Sequence, residues 1–444
     1  MNVPTPKVPK AFPENSSLQN VKRFKASPIL YMQEAADRWG SPVDLNLPFG
    51  RFVLITDPEQ AQHVMVHNHQ NYQKSKGYKE IARVLGNGIL SAEGEQWKRQ
   101  RQILQPSFHK PELKKLLPSV WNTTEQFIHT LGTKSCLKLD EEMSGLTLTI
   151  LLNSLIHYDN TALKEKMAEN IVFGQEFIVD RIRTMIKWPV WLPTKTNRRY
   201  HKMMAESSQL IQSCIDHRRQ LDEKIVQDLL AVLLENYDPK SEFEKIRNEL
   251  LTFLVAGHET SALGITWCLH ILGHHSGIQA RLFEEVKGFD ALEDLDMMNF
   301  SNLSYTIKVI KESMRLYPPI WNIVRMAKEE DTIGGYTIQK GQQLMSNILE
   351  IHHNEKYWPD AERFDPERFD AANTEELHKF QYMPFGAGPR FCIGNNFAMF
   401  EMVILLVQWV RNFEIRSLTP EHIGFNPLLT LRPDRPIEVE LRRR

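Results

Sequence analysis

The chain has 444 residues, with 54 Lys and Arg against 55 Asp and Glu, and a formal net charge of -1. This balance gives no electrostatic reason to expect nucleic acid as a partner. The longest apolar runs, such as MVILLVQWV, fall well short of the ~20 residues that span a bilayer, and the N-terminus has no apolar signal-peptide core. The sequence therefore predicts a cytoplasmic protein without a membrane anchor.

The first predicted elements are strands, and a long helical body follows them. Residues 42–57 predict a β-hairpin around the sequence PFG. Asp57 followed by Pro58 is typical of the start of a helix, because an acceptor side chain and a proline both suit the first turn. The pattern is then mostly helical over residues 93–315, with a loop at residues 188–197.

The C-terminal part of the chain returns to strand patterns. Residues 332–351 predict a second hairpin, and the terminal LLTLRPDRPIEVELRRR again indicates strand. No segment has the composition of a linker. We therefore predict one domain over residues 1–444, mainly α with small β-sheets (α+β), with a helix-rich lobe and a strand-rich lobe.

The four cysteines are too widely and irregularly spaced for a disulfide framework or a zinc site. Cys136, Cys214 and Cys268 lie in helical or apolar surroundings and are predicted to be small core residues. Cys392 differs, because it lies in the loop FGAGPRFCIG directly before an apolar helical run. A helix N-terminus there would favour the thiolate and lower the pKa from about 8.5 to ~3.5–7.5.

A thiolate in this loop could be a nucleophile or a metal ligand. A nucleophile would need a histidine base, and the loop has none. It has instead a cation, Arg390, and an aromatic residue, Phe385, which suit a bound anionic metal complex. Haem iron takes a cysteine thiolate as an axial ligand, and its propionates need cations.

The loop resembles the cysteine-ligand signature of the cytochromes P450, the haem-thiolate monooxygenases. Phe385, Gly388, Arg390, Cys392 and Gly394 match the pattern F-x-x-G-x-R-x-C-x-G. The resemblance implies a cytochrome P450 fold around a buried haem b (iron protoporphyrin IX), with Cys392 as the iron ligand. It also implies that one oxygen atom of O2 is inserted into a substrate C–H bond.

A second motif of the family lies in GEQWKRQRQILQPSFH, where Trp97 and Arg101 share one helix face. By itself this pair would fit an ordinary basic helix. The resemblance makes Trp97 a propionate ligand through its indole N–H and Arg101 a propionate ligand through its charge. In all it implies haem contacts from six residues: Trp97, Arg101, Arg325, Arg390, Phe385 and Gly386.

A third motif interrupts the apolar helical run of residues 250–272 with Gly257, Glu259 and Thr260. A mid-helix glycine costs roughly 1 kcal/mol relative to alanine, and a buried carboxylate costs more. The alternative is a packing glycine beside a capping-type threonine. The sequence AGHETS resembles the oxygen-activating segment of the family, in which the helix opens beside the haem. The resemblance implies that Thr260 and Glu259 manage protons in catalysis, whereas His258 points off their face and is predicted to be structural.

Glu312 and Arg315 are at i,i+3 in an apolar helix, and Arg368 follows in FDPERF. These residues resemble the Glu-Arg-Arg network of the family, which holds the loop before the cysteine and has a structural role. Two adjacent histidine pairs diverge on regular structure and are predicted to be solvated: His274–His275 and His352–His353.

The resemblance also implies separate electron donors, since the chain has neither a GxGxxG segment nor ferredoxin-type cysteines. We expect electrons to come ultimately from NAD(P)H through a ferredoxin, or a flavodoxin, and its reductase, and we expect a monomer. Five basic residues would suit an acidic carrier, or equally a solvated charge run: Lys98, Arg99, Lys110, Lys114 and Lys115.

The substrate is less strongly indicated than the reaction. The expected wall segments are largely apolar and favour a fatty acid or terpenoid: residues 76–90, 250–257, 318–325 and 422–429. Trp321 and Asn322 instead favour a small oxygenated substrate, such as a methyl ether that would be O-demethylated. A peroxide-driven peroxygenase and a non-catalytic haem protein are further alternatives, and the Glu259–Thr260 pair argues against both.

Overall fold

The structure is a computed structural model that describes residues 7–12, 18–47, 50–132, 136–158, 161–184, 187–220, 228–374 and 377–444. Helices make up most of these residues. They are α1 Leu18–Ala26, α2 Pro28–Trp39, α3 Pro58–Gln62, α4 Tyr78–Leu85, α5 Gly94–Leu104, α6 Lys110–Lys114, α7 Leu117–Leu131, α8 Leu139–Leu151, α9 Thr161–Arg183, α10 Lys195–Arg218, α11 Leu229–Asn236, α12 Phe243–Leu272, α13 Ser276–Val286, α14 Ser304–Leu316, α15 Ile348–His352, α16 Ala371–Thr374 and α17 Asn395–Asn412.

The strands are short and lie in the N-terminal and C-terminal thirds of the chain. They are β1 Lys10–Phe12, β2 Val43–Leu47, β3 Gly50–Ile55, β4 Tyr72–Lys74, β5 Cys136–Lys138, β6 Asn322–Ala327, β7 Asp331–Ile333, β8 Tyr336–Ile338, β9 Gln343–Asn347, β10 Phe413–Ser417, β11 Phe425–Pro427, β12 Leu431–Pro433 and β13 Glu438–Arg443. The predicted class, mainly α with small β-sheets, is therefore confirmed.

A six-stranded sheet has the order β1-β2-β3-β9-β6-β4. The predicted pairing of the N-terminal hairpin is confirmed, because β2 and β3 pair antiparallel with Val43 opposite Leu54, whereas Pro48 and Phe49 of its turn lie outside the described residues. Asp57 caps the next helix as predicted, and its Oδ1 accepts the backbone N–H groups of Glu59 and Gln60 at 3.0 and 3.1 Å. The prediction for this part of the chain needed only local signals.

The predicted hairpin over residues 332–351 is wrong in its second half. The hairpin is β7–β8, which turns at Gly334 and Gly335. Strand β9 lies instead in the large sheet, parallel to β3 and antiparallel to β6. Every residue of β9 is buried, as expected of an interior strand that is covered on both faces. Strand β9 therefore lacks the alternation of buried and exposed residues that marks a hairpin arm with one face in solvent.

The cysteine prediction is confirmed for Cys214 and Cys268, which are buried, and wrong for Cys136, which is exposed. Cys136 opens β5, an edge strand whose side chains alternate outward and inward. Leu137 takes the inward position, so its neighbour faces outward. The apolar neighbourhood in the sequence did not show which face each residue would occupy.

The long helix α12 lies at the centre of the helical part and packs against α8, α14 and α17. Its second half is buried around Trp267, whose ring stacks on Tyr317 with centroids 4.3 Å apart. Burial of one large apolar side chain contributes about 1.5–3 kcal/mol, so this apolar contact holds α12 firmly in place. The first half of α12 is thereby placed across from the loop that precedes α17.

Candidate functional site

A cavity of about 610 Å³ lies between α12, β6 and the loop of residues 384–394, which we call the cysteine loop. Most of its wall is apolar, and α4, α9 and α12 each contribute to it. Of the nine residues predicted from the sequence, eight line this cavity: Trp97, Arg101, Thr260, Arg325, Phe385, Gly386, Arg390 and Cys392. The ninth, Glu259, lies behind the wall.

The cysteine loop is closed on itself, because the backbone N–H of Cys392 donates to the carbonyl oxygen of Phe385 at 3.1 Å. Gly386 and Gly388 both have positive φ, +72° and +69°, which side chains rarely adopt. At Gly388 a Cβ atom would also lie 2.0 Å from the carbonyl oxygen of Met65. Gly386 and Gly388 are therefore needed for the fold of this loop.

The electrostatic prediction for Cys392 is only partly correct. The backbone N–H of Gly394 donates to its sulfur, and this bond and the Arg101 charge both lower the pKa of the thiol. Burial has the larger effect, however, and raises the pKa overall. The accessible surface of Cys392 faces the cavity. The residue is therefore enclosed by the protein but open to a ligand in the cavity. Helix α17 begins only at Asn395, which leaves the sulfur just outside the first turn.

The cations of the site lie around Trp97. The Arg390 guanidinium stacks on its ring, 3.8 Å from the centroid, and donates to Ala92 O and Glu93 Oε2, both at 3.0 Å. Arg101 donates through Nη1 to the carbonyl oxygen of Phe391 at 3.0 Å, next to the cysteine. These contacts fix two of the predicted haem-binding cations against the cysteine loop.

Lys74 is a further cation of the site that the sequence analysis missed. It is opposite Arg325 in the β4–β6 pair, and its Nζ donates to Ala92 O at 2.9 Å. Burial lowers the pKa of Lys74 to about 7, and the Arg390 charge adds to this effect. In the sequence it is one lysine in a three-residue strand, with no signal that separates it from a surface residue.

These residues fit a haem. A thiol that faces a cavity can give iron a soft sulfur ligand, and thiolate is a known axial ligand of haem. Four cations, Lys74, Arg101, Arg325 and Arg390, line the same cavity and match the two negative propionates in sign. Such a group would remove the cost of holding these positive charges close together.

Thr260 lies on the cavity wall, and its Oγ1 donates to the carbonyl oxygen of Ala256 at 2.7 Å. The expected opening of the helix is not seen, because α12 is continuous from Phe243 to Leu272. Gly257 has another reason to be glycine: a Cβ there would lie 3.2 Å from Cδ1 of Leu151 on α8. Close helix packing therefore explains this glycine.

Glu259 is buried and points away from the cavity towards β12. Its Oε1 accepts a hydrogen bond from Thr430 Oγ1 at 2.8 Å and one from Arg432 Nε at 2.6 Å. Burial raises the pKa of Glu259, and the Arg432 charge opposes that rise. Thr430 itself lines the cavity, so this residue links the buried carboxylate to the cavity wall. The sequence analysis missed Thr430 and Arg432 because both are far from Glu259 along the chain.

Glu312 and Arg315 form a bidentate ion pair with two N–O distances of 2.8 Å, and both side chains are fully buried. Arg368 approaches the same carboxylate more loosely, with 3.3 Å between Nε and Oε1. Its Nη atoms donate to Pro359 O and Asp360 O at 2.6 and 2.7 Å. The three residues therefore lie together, as the sequence motif indicated.

The prediction of solvated histidine pairs is wrong for His352, which is fully buried. Its Nδ1 lies 3.1 Å from Arg315 O, and its Nε2 accepts the backbone N–H of Met383 at 2.9 Å. The other three paired histidines are half-buried: His274, His275 and His353. His258 is buried and lies 2.9 Å from Ser144 Oγ, a structural contact between α12 and α8.

Comparisons with known proteins agree with this geometry. The sequence model of the family described as Cytochrome P450 matches residues 6–441. The chain is 29% identical, over 85% of its length and 83% of the relative, to cyclooctat-9-en-7-ol 5-monooxygenase of Streptomyces melanosporofaciens. It is 31% identical, over 83% of its length and 73% of the relative, to cytokinin hydroxylase of Arabidopsis thaliana.

The fold is also similar to that of solved cytochrome P450 structures. A crystal structure of the cytochrome P450DA heme domain superposes with a TM-score of 0.86, at 23% identity, over 99% of this chain and 98% of that chain. Among the helices built from described residues, none combines the length and the apolar character needed to cross a membrane.

Proposed function

The chain belongs to the cytochrome P450 family and is a monooxygenase of that family, and we propose that it hydroxylates a lipid-like substrate with haem b held by Cys392. The observation that carries the proposal is the composition of one cavity. Cys392 and a set of cations line it together with Thr260, and most of the remaining wall is apolar.

The chain would hold the haem through its charge and its sulfur. Cys392 Sγ is the proposed iron ligand, with the Gly394 N–H as a hydrogen-bond donor to it. When bound, the haem supplies the redox chemistry that activates O2. The loop residues Phe385 and Gly386 complete the binding wall. The proposed propionate contacts are Trp97 and four cations: Lys74, Arg101, Arg325 and Arg390.

Protons would reach the cavity through side chains of α12 and β12. We propose that Glu259 holds a proton, which its raised pKa favours, and passes it to Thr430 Oγ1. Thr430, whose hydroxyl donates to Glu259 Oε1 in the structure, would turn that hydroxyl and release its own proton at the cavity wall. Thr260 Oγ1 already donates to Ala256 O, so its lone pairs are free to accept a hydrogen bond from a group in the cavity. This assigns proton-handling roles to Glu259 and Thr260, with Thr430 as the link between Glu259 and the cavity.

The apolar walls support a fatty acid or terpenoid as substrate. The Streptomyces relative is named for the oxidation of cyclooctat-9-en-7-ol, which agrees with a substrate of lipid character. Trp321 lines the cavity but uses its indole N–H internally, on Leu428 O at 3.2 Å. Oxidative O-demethylation of a small oxygenated substrate is the second candidate, favoured by the amide of Asn322 in the wall.

Electrons are proposed to come from NAD(P)H through a ferredoxin, or a flavodoxin, and its reductase, to a monomeric chain that acts as one haem unit. The basic residues expected to dock the carrier carry less positive charge than their number suggests. Lys98 pairs with Glu95 and Lys115 with Glu112, each at 2.6 Å. Neighbouring acids therefore offset part of the positive charge of this face.

The test is spectroscopic and isotopic. The ferrous carbon monoxide adduct of the purified protein should show the red-shifted absorption typical of thiolate ligation, and Cys392→Ser should lose it. With a reductase system and 18O2, one labelled oxygen atom should enter the product. Turnover with hydrogen peroxide alone would instead indicate a peroxygenase, and absence of turnover with either oxidant would indicate a non-catalytic haem protein.

A further inference from the structure

The ionised side chains on the cavity wall are all cationic. Among the described residues no aspartate or glutamate lines the cavity, whereas seven lysines and arginines do. A mostly apolar cavity with only positive charges attracts ligands that carry negative charge. The seven are Lys74, Lys76, Arg101, Arg183, Lys187, Arg325 and Arg390.

Four of these cations belong to the haem site, but Arg183 does not. The charges of Arg325 and Arg390 lower the pKa of Lys74, so these three residues lie close together. The Arg101 charge lowers the pKa of Cys392. Arg183 is affected by none of them, and burial alone lowers its pKa. Arg183 is therefore not part of the proposed propionate contacts, and a bound haem would leave its positive charge without a counter-ion.

Arg183 is the last residue of α9 and reaches across to the end of β11. It donates through Nη2 to the carbonyl oxygen of Pro427. Its neighbour Ile182 packs against Gly77, where a Cβ atom would lie 3.4 Å from Cδ1 of Ile182. The guanidinium thus lies in a wall formed by α9, the segment before α4 and the loop that continues into Leu428.

No carboxylate in the described part of the chain lies within ion-pair distance of Arg183. The nearby acid Glu80 already serves three cations, with N–O distances of 2.6 Å to Arg181, 2.9 Å to Arg83 and 3.2 Å to Lys187. This group of residues therefore has an excess of positive charge. A half-buried guanidinium without a counter-ion is costly to keep, which points to a ligand that supplies the negative charge.

The hydrogen bond to Pro427 gives Arg183 a structural role as well, but it uses little of the guanidinium. Arginine has five N–H donors in a planar fork, and a single carbonyl oxygen engages only part of it. The geometry that matches this fork is a carboxylate or a similar planar anion, bound through two parallel hydrogen bonds.

We propose that Arg183 is the carboxylate-binding subsite of the substrate cavity, and that the substrate is an amphiphilic carboxylic acid with a long apolar body. This inference rests on the proposed function, which it narrows from lipid-like molecules in general to acids. With the carboxylate held at the end of α9, the apolar body lies along the walls of α4, α9 and α12. The C–H bonds offered for oxidation are then remote from the carboxyl group.

The test compares three ligands of equal chain length: dodecanoic acid, its methyl ester and dodecan-1-ol. Binding to the haem-loaded protein is measured both by the shift of the Soret band and by calorimetry. The variants are Arg183→Gln, Arg183→Lys and, as a control, Arg416→Gln, which changes an exposed arginine paired with Glu440. All are compared at low and high salt.

We expect the wild type to bind the acid more tightly than the ester or the alcohol, with a preference that falls as salt rises. Arg183→Gln should weaken acid binding roughly 10- to 100-fold, as the loss of a charged hydrogen bond does, and leave the ester unchanged. Arg183→Lys should restore part of the affinity, since it keeps the charge without the fork. The control variant should behave as the wild type.

Equal affinity for acid and ester in the wild type would overturn the subsite and leave the monooxygenase assignment intact. An equal loss of affinity for both ligands in Arg183→Gln would also overturn it, because it would show that Arg183 only holds the segment around Pro427 in place. Absence of the thiolate band would instead overturn the proposed function, and calorimetry would still report whether acids are preferred. If Arg183→Gln does not fold, the ester comparison and its salt dependence in the wild type decide the matter.

Discussion

The backbone N–H of Met383, just before the cysteine loop, donates to Nε2 of His352 at 2.9 Å. Because Nε2 is the acceptor, the proton of the neutral ring is on Nδ1, which donates to the carbonyl oxygen of Arg315. His352 thus connects the buried Glu312–Arg315 pair to the loop that carries Cys392. His352 is thus a hydrogen-bonded link between the Glu-Arg-Arg network and the cysteine loop.

His352→Phe should destabilise the protein and weaken haem retention. The substitution leaves the Met383 N–H without an acceptor in a buried place, at a cost of about 1–3 kcal/mol. Urea unfolding and the haem content of the purified protein measure the two effects. His422→Phe, which alters an exposed histidine, is the control, and equal stability and haem content in both variants would contradict the connection.

His352 should also make the wild type sensitive to acid. Burial lowers its pKa to about 3, whereas an unfolded histidine titrates near ~6.5. The neutral ring therefore contributes its full stability above pH ~6.5, and this contribution is lost as the pH falls towards 3, by about 1.4 kcal/mol per pH unit. Between pH 7 and pH 5 the free energy of unfolding should decrease less steeply for His352→Phe than for the wild type. Parallel curves would show that this histidine does not titrate in that way.

Arg315→Ala should be more damaging than Arg368→Ala. Arg315 makes a bidentate, fully buried pair with Glu312, and its removal leaves a buried charge uncompensated, at a cost of about 3–5 kcal/mol. Arg368 lies further from the carboxylate and is partly accessible, so its loss should cost less. Thermal unfolding and haem content measure both, with the exposed Arg363→Ala as control. The reverse order of stabilities would contradict the geometry.

Lys74→Gln should speed the loss of haem without unfolding the protein. The change removes one of four cations that line the proposed propionate site, and its partners there are backbone carbonyl groups rather than a buried carboxylate. The rate of haem transfer to an excess of apomyoglobin measures the effect, and Lys79→Gln, on the exposed side of α4, is the control. Equal transfer rates for the two variants would remove Lys74 from the site.

Local signals were sufficient for the parts of the fold that depend on neighbouring residues. The cap at Asp57, the β2–β3 hairpin and the glycine-rich cysteine loop are each defined within a short segment. The errors lie where the decisive partner is distant in sequence. Strand β9 looks like a hairpin arm until its neighbours β3 and β6 are known.

The candidate site shows the same division. The motif residues around Cys392 have a characteristic spacing along the chain, so the sequence alone was enough to select them. Lys74 and His352 have no such pattern, and only their three-dimensional contacts, with Ala92 and with Met383, distinguish them from surface residues. For Glu259 the sequence indicated a buried acid but not its partner Arg432.

Substitutions at Thr260 and Glu259 should have different effects, although both residues are proposed to handle protons. Thr260→Ala removes the hydroxyl on the cavity wall without touching the Glu259–Arg432 pair. We expect substrate binding to change little and the product formed per NAD(P)H to fall, with more hydrogen peroxide released. Thr260→Ser keeps the hydroxyl and should retain most of the coupling, so it is the matched control.

Glu259→Gln should act differently, because it keeps the shape of the side chain and its acceptor for Thr430 but cannot release a proton. We expect slower turnover at nearly unchanged coupling. The change also deprives Arg432 of its counter-ion, so stability has to be measured beside activity. Arg432→Gln serves that purpose: it breaks the same ion pair but leaves the acid in place. If Arg432→Gln slows turnover as much as Glu259→Gln does, the ion pair rather than the proton is what matters. A slow Glu259→Gln beside a faster Arg432→Gln would support proton delivery through Thr430.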